Sequence, residues 1–116
     1  METREFNIQG IRILEILDED LILNGPQDLL DIVSDYSIKR IVFRKEQITG
    51  DFFDLSTGLA GEILQKASNY KLYIGIVGDF ENLESKSLRD FIWESNQTRQ
   101  IVFKKTVKEV LRAFVK

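Results

Sequence analysis

Residues 51–70, DFFDLSTGLAGEILQKASNY, decide the fold. They open as a polar loop carrying two adjacent phenylalanines and turn into a helix at Ser56-Thr57-Gly58. From there Leu59, Ala60, Ile63, Leu64 and Ala67 recur at helical spacing and form a buried stripe. Glu62 and Lys66, one turn apart on the other side, are expected to pair. Directly afterwards KLYIGIV at 71–77 is almost wholly apolar and stops at Gly78-Asp79, as a strand covered on both faces does. A helix feeding a two-sided strand is half of a βαβ unit, so the chain reads as α/β.

The same alternation extends in both directions. REFNI at 4–8 and IRILEIL at 11–17 flank Gln9-Gly10 and read as a hairpin, with Ile11 and Ile13 on one face and Leu14 and Ile16 on the other. After a solvated DED at 18–20 and a short apolar LIL at 21–23, Asn24-Gly25-Pro26 starts a helix expected to run to about residue 36. Proline suits its first position, where an N–H has no partner to lose, and Asp28 favours the positive helix end. IVF at 41–43 is the next strand, followed by a long connection at 44–57 of the kind that is functional or ordered by a partner. A third helix begins near Ser85 or Ser87 and reaches about Ser95, burying Leu88, Phe91 and Ile92. Residues 100–103 form the last strand, and Thr106 with Glu109 is a capping box opening a fourth helix that buries Val107, Val110, Leu111 and Phe114. The expected architecture is one domain, 1–116, with a hairpin and a mainly parallel sheet of four to five strands flanked by four helices.

Composition narrows the chemistry. A chain of 116 residues that is 43% hydrophobic and 30% charged is an ordinary globular domain. No apolar run approaches the roughly 18 residues of a membrane span, and Met1 is followed by TREFN rather than a signal peptide, so no membrane partner is expected. A net charge of −3 argues against a nucleic-acid surface. The absence of cysteine excludes disulfides and thiolate sites and fits a cytoplasmic protein. The absence of histidine removes the usual general base, the usual zinc ligand and every Ser-His-Asp arrangement. No cofactor is expected, and an enzyme is disfavoured.

FFDLSTGLAGEILQK at 52–66, NYKLYIGIVGDF at 69–80, SKSLRDFIWESN at 85–96 and IVFKKTVKEVLRAF at 101–114 together resemble a bacterial domain-of-unknown-function family, family 4180. That resemblance spans nearly the whole chain and implies no activity. A more distant likeness is to STAS domains, the fold of anti-sigma-factor antagonists, whose second helix opens with Asp-Ser-Ser-Gly-Leu-Gly. Here the stretch is Leu55-Ser56-Thr57-Gly58-Leu59-Ala60, so Ser56, Gly58 and Leu59 match. Thr57 stands where partner kinases phosphorylate a serine, the motif aspartate falls on Leu55 with Asp54 one position early, and the last glycine is Ala60. The likeness implies a STAS-like fold and a regulatory role, with Thr57 or Ser56 as the modified hydroxyl.

Ligands in open α/β sheets gather at the carboxyl ends of the strands. Asp18 to Asp20, Arg44 with its loop, Gly78-Asp79 and Lys104-Lys105 should arrive there, joined by the first amides of the second helix. Those amides make either an anion site or a plain cap closed by Ser56. A response-regulator receiver is excluded, because the strand at 41–43 ends on Arg44-Lys45 and not on a phosphoacceptor aspartate. Gly75 to Gly78 lacks dinucleotide-binding spacing, and helix packing against the strand explains Gly75. Asp51, Asp54 and Asp79 could converge on magnesium or do acid–base work, or remain solvated loop acids and caps; no metal site is assigned. Phe52, Phe53 and Trp93 are either exposed anchors for a partner, or the two phenylalanines are buried under the loop and Trp93 is half buried by the neighbouring helix. Two readings follow. One is a cytoplasmic regulatory or protein-interaction module using residues 44–58 and the entrance of the second helix, with a homodimer left open. The other is a small-molecule or phosphate binder, or enzyme, using Arg44, Asp51, Asp54 and Asp79.

Overall fold

The computed structural model describes residues 1–116. Strands β1 (Thr3–Ile8) and β2 (Ile11–Ile16) form the hairpin, and its two-residue turn places Gln9 and Gly10 both at positive φ, 53° and 82°. Those values match a primed turn, whose twist follows that of the strands. Then come α1 (Pro26–Tyr36), β3 (Arg40–Arg44), α2 (Leu59–Tyr70), β4 (Tyr73–Val77), α3 (Lys86–Thr98), β5 (Ile101–Lys104) and α4 (Val107–Phe114). The five strands lie side by side in chain order, β1 antiparallel to β2 and the remaining pairs parallel. The sheet is therefore mixed rather than the mainly parallel one expected. The hairpin is the cause, since a two-residue turn can only join antiparallel strands.

Three helices cover one face and a single helix the other. Leu14, Ile16, Ile41, Phe43, Ile74, Ile76, Ile101 and Phe103 point toward α1, α2 and α3, where they meet Leu29, Ile32, Ala60, Ile63, Ala67, Leu88 and Ile92. Ile13, Val42 and Val102 point the other way and meet Val110 and Phe114 of α4. Gly75 makes that second packing possible. A Cβ there would fall far inside van der Waals contact with Val110 Cγ1, so α4 rests on the bare backbone of β4.

The helix ends follow their sequence signals. Pro26 stands in the first turn of α1, and the Asp28 carboxylate reaches back to the Asn24 amide at 2.8 Å. Ser85 Oγ accepts from Leu88 N at 3.1 Å and Thr106 Oγ1 from Glu109 N at 3.2 Å. The return leg of the second box lands one residue early, with Lys105 N donating to Glu109 Oε2 at 3.2 Å. The expected Glu62–Lys66 pair does not form, because the Lys66 ammonium lies over the Tyr70 ring, 5.7 Å from its centroid.

Candidate functional site

The connection between β3 and α2 is built of three 3-10 turns, Lys45–Gln47, Gly50–Phe53 and Leu55–Thr57. It is ordered by its own side chains. Gln47, 1% exposed, donates from Nε2 to Ile16 O at 3.1 Å and Asp18 O at 2.7 Å, while its Oε1 accepts from Arg44 N at 2.8 Å. One amide side chain thus ties the end of β2 to the end of β3. Sequence reading missed it, because a lone glutamine in a polar loop carries no periodic signal. Ile48 pairs with Leu23 in a short parallel bridge, with Leu23 N donating to Gln47 O at 2.7 Å and Thr49 N to Leu23 O at 3.1 Å. The apolar run at 21–23 is accounted for in this way.

Phe52 anchors the segment. Its ring is 1% exposed and lies 5.0 Å from Phe53, 6.5 Å from Phe91 and 6.2 Å from Phe103, centroid to centroid. Phe80 completes the cluster, 5.3 Å from Phe103 and stacked on Phe53 at 6.2 Å. Phe52 is core and cannot be the exposed partner anchor that one reading of the sequence made it. Phe53 is half-buried, and the Lys45 ammonium rides over both Phe53 and Phe80, at 5.6 and 5.3 Å from their centroids. Gly78 leaves room for that lysine, since a Cβ there would come within 2.9 Å of Lys45 Cβ.

Asp54, Ser56, Thr57 and Gly58 are exposed above this base. Asp54 Oδ1 accepts from Ser56 Oγ at 2.6 Å and Ser56 N at 3.1 Å. Thr57 N donates to Asp54 O at 3.1 Å and Gly58 N to Leu55 O at 3.2 Å. Thr57 Oγ1 lies 2.7 Å from Asp51 O and 2.9 Å from Asp54 O, and accepts from Leu59 N at 3.2 Å. Gly58, at φ 80°, turns the chain into α2, which therefore starts at Leu59 and not at Thr57. The amides at 56–58 expected to stand open for an anion are occupied. Thr57 and Asp54 make the caps that sequence reading gave to Ser56, because the 3-10 turn puts these two acceptors nearer the free donors.

The strand ends do not assemble a carboxylate centre. No group of three or more acidic side chains is placed to hold a metal ion, so Asp51, Asp54 and Asp79 do not converge. Asp79 instead closes its own turn, Oδ1 accepting from Glu81 N at 3.0 Å, and its carbonyl oxygen lies 3.5 Å from the Lys45 ammonium. Arg44 is half-buried at the end of β3, its amide held by Gln47. Trp93 is 66% exposed, on the outer flank of α3. A hydrogen bond from Arg12 Nε, 3.0 Å from Glu5 Oε2, holds the Glu5 carboxyl below its usual range and raises Arg12. That pair is on the hairpin, near the amino end of β2 and away from the carboxyl ends of the parallel strands.

No helix is long and apolar enough to cross a membrane. No curated protein and no solved structure matches the chain. The family model described as Domain of unknown function (DUF4180) matches residues 8–114, nearly the whole chain, and the protein belongs to that family.

Proposed function

We propose that the chain is a small regulatory or protein-interaction module whose contact surface is the 44–58 segment and the entrance of α2. One arrangement supports this reading. Asp54, Ser56, Thr57 and Gly58 are exposed on a turn whose shape is fixed by its own hydrogen bonds and by the buried Phe52 beneath it. A surface already held in shape loses little conformational entropy on docking. Half-buried Phe53 and the Lys45 ammonium beside it add an apolar and a cationic contact at the rim.

The STAS-like assignment and a cytoplasmic setting belong to the same reading. The hairpin followed by four alternating helices is the order such a domain has, and Ser56, Gly58 and Leu59 match three of the motif's six positions. Thr57 and Ser56 are the hydroxyls to modify. A phosphoryl group on Thr57 has to displace the contacts of Oγ1 with the carbonyls of Asp51 and Asp54, so modification would loosen the turn it sits on.

A photo-crosslinking residue placed at Ser56 or at Glu62, with one at Lys108 as control, tests the reading. A discrete adduct is expected from the first two positions, absent from the control and lost on Thr57→Glu in a variant shown by circular dichroism to be folded. Adducts with a second copy of the chain would identify a homodimer. Positions 56 and 62 giving nothing beyond the control's background would remove this surface from consideration.

A further inference from the structure

Charge is unevenly laid out along this chain. Residues 99–116 hold six Lys or Arg and one acid, Glu109, whereas residues 1–98 hold ten Lys or Arg against eighteen acids. The fold gathers that local excess. Between the end of α3 and α4, alongside β5, lies a cleft of about 370 Å³ with Arg99, Lys104, Arg112 and Lys116 on its walls. Glu109 is the one acid lining it, and its Oε2 is already engaged with Lys105 N. None of the four cations is in an ion pair; those pairs are made by Arg4, Arg12, Lys86 and Lys105. Past Arg99 and Lys116 the surface dips again, in a second cleft of about 270 Å³ that brings in Arg40.

Helix dipoles explain part of this. Arg99, Arg112 and Lys116 sit near the negative carboxyl ends of α3 and α4. Lys104 does not; it closes a strand, and nothing in the dipole argument requires the four to face one concavity.

The shape of the cleft selects among anions. Seven of its eight lining residues are polar or charged, so a ligand gains little from apolar burial and must be held through charge. Two guanidinium groups match tetrahedral oxyanions bidentately, and the volume suits a small ligand. An acidic peptide added as a strand to the β5 edge is disfavoured. Asn96 already occupies both outward groups of Phe103, accepting from its N–H at 2.7 Å and donating to its carbonyl at 3.3 Å. A long nucleic acid is disfavoured too, because the remainder of the chain is strongly acidic and would repel it.

We propose that this cleft binds a compact anion bearing two or three phosphoryl groups, either free or as the polyphosphate of a nucleotide. The site is separate from the 54–58 turn and stands or falls without it.

Calorimetric titration of the full chain with inorganic tripolyphosphate, and separately with a nucleoside triphosphate, tests this, with sulfate as the single-group control. Saturable one-site binding is expected from at least one of the two. It should weaken about tenfold or more in Arg112→Gln and in Arg99→Gln, the loss of one charge-assisted bond, and stay unchanged in Lys108→Gln, which lies outside the cleft. Arg112 is exposed on α4, so that variant decides the matter if Arg99→Gln perturbs folding. A nucleotide binding tenfold tighter than tripolyphosphate would name the nucleotide as the source, and equal affinities would name the polyphosphate alone. No binding of either, sulfate binding equally well, or the same weakening in Lys108→Gln would overturn the site.

Discussion

At the scale of single residues, the most constrained position is Gly75. Its place inside an apolar strand implies a close neighbour, and Val110 of α4 is that neighbour. Gly75→Ala should destabilise the protein by about 1–3 kcal/mol in urea unfolding, as overpacking does. Combining it with Val110→Ala should give a favourable coupling of about 0.5–3 kcal/mol, because the second change removes the methyl the first collides with. Strict additivity would mean that α4 does not rest on β4. The Glu5–Arg12 pair makes a different expectation. A carboxyl whose folded pKa is depressed contributes stability above its unfolded pKa and loses it as pH falls through the folded one. Glu5 should therefore titrate by NMR below the usual carboxylate range, and return to it in Arg12→Gln. Both side chains are largely exposed, so the effect on unfolding should be slight. Neither the pair nor Gln47 was legible in the sequence. Each depends on a register or a turn that brings distant residues together, whereas Gly75 announced itself by standing where a side chain was expected.

At the scale of elements, hydropathy periodicity placed all four helices and the strands to within a few residues, because each has one or two continuously apolar faces. The 44–58 segment escaped such reading. Three successive 3-10 turns have no repeating period, so the burial of Ile48 and Phe52 could not be told from exposure in a loop. Its order depends on Gln47. Gln47→Leu would strand two carbonyls and one amide, and should cost about 3 kcal/mol or more at roughly 1–3 kcal/mol for each unsatisfied group. A cost below about 0.5 kcal/mol, within the usual range for surface changes, would show that this side chain does not hold the strand ends together. The start of α2 was misread for a related reason: the same Ser-Thr-Gly sequence serves a 3-10 turn capped by Asp54, with Thr57 accepting from the first amide of α2, as readily as a helix cap at Ser56.

At the scale of the whole molecule, the sheet separates two unequal layers, with three helices on one face and α4 alone on the other. That division could not be read from the sequence, since strands covered on both faces look alike whichever helices cover them. It sets the functional geography. The five-phenylalanine cluster lies in the three-helix layer and carries the proposed contact turn, while the basic cleft lies along α4 and the β5 edge. What unites the reading is that residues 44–58 are a fixed part of the fold and not a loop awaiting a partner. Hydrogen exchange of the isolated chain tests this most directly. The amides of Leu23, Thr49 and Phe52, bonded to Gln47 O, Leu23 O and Thr49 O, are expected to exchange slowly in the absence of any partner. Exchange at those three amides as fast as in an unstructured peptide, with β4 still protected, would contradict it.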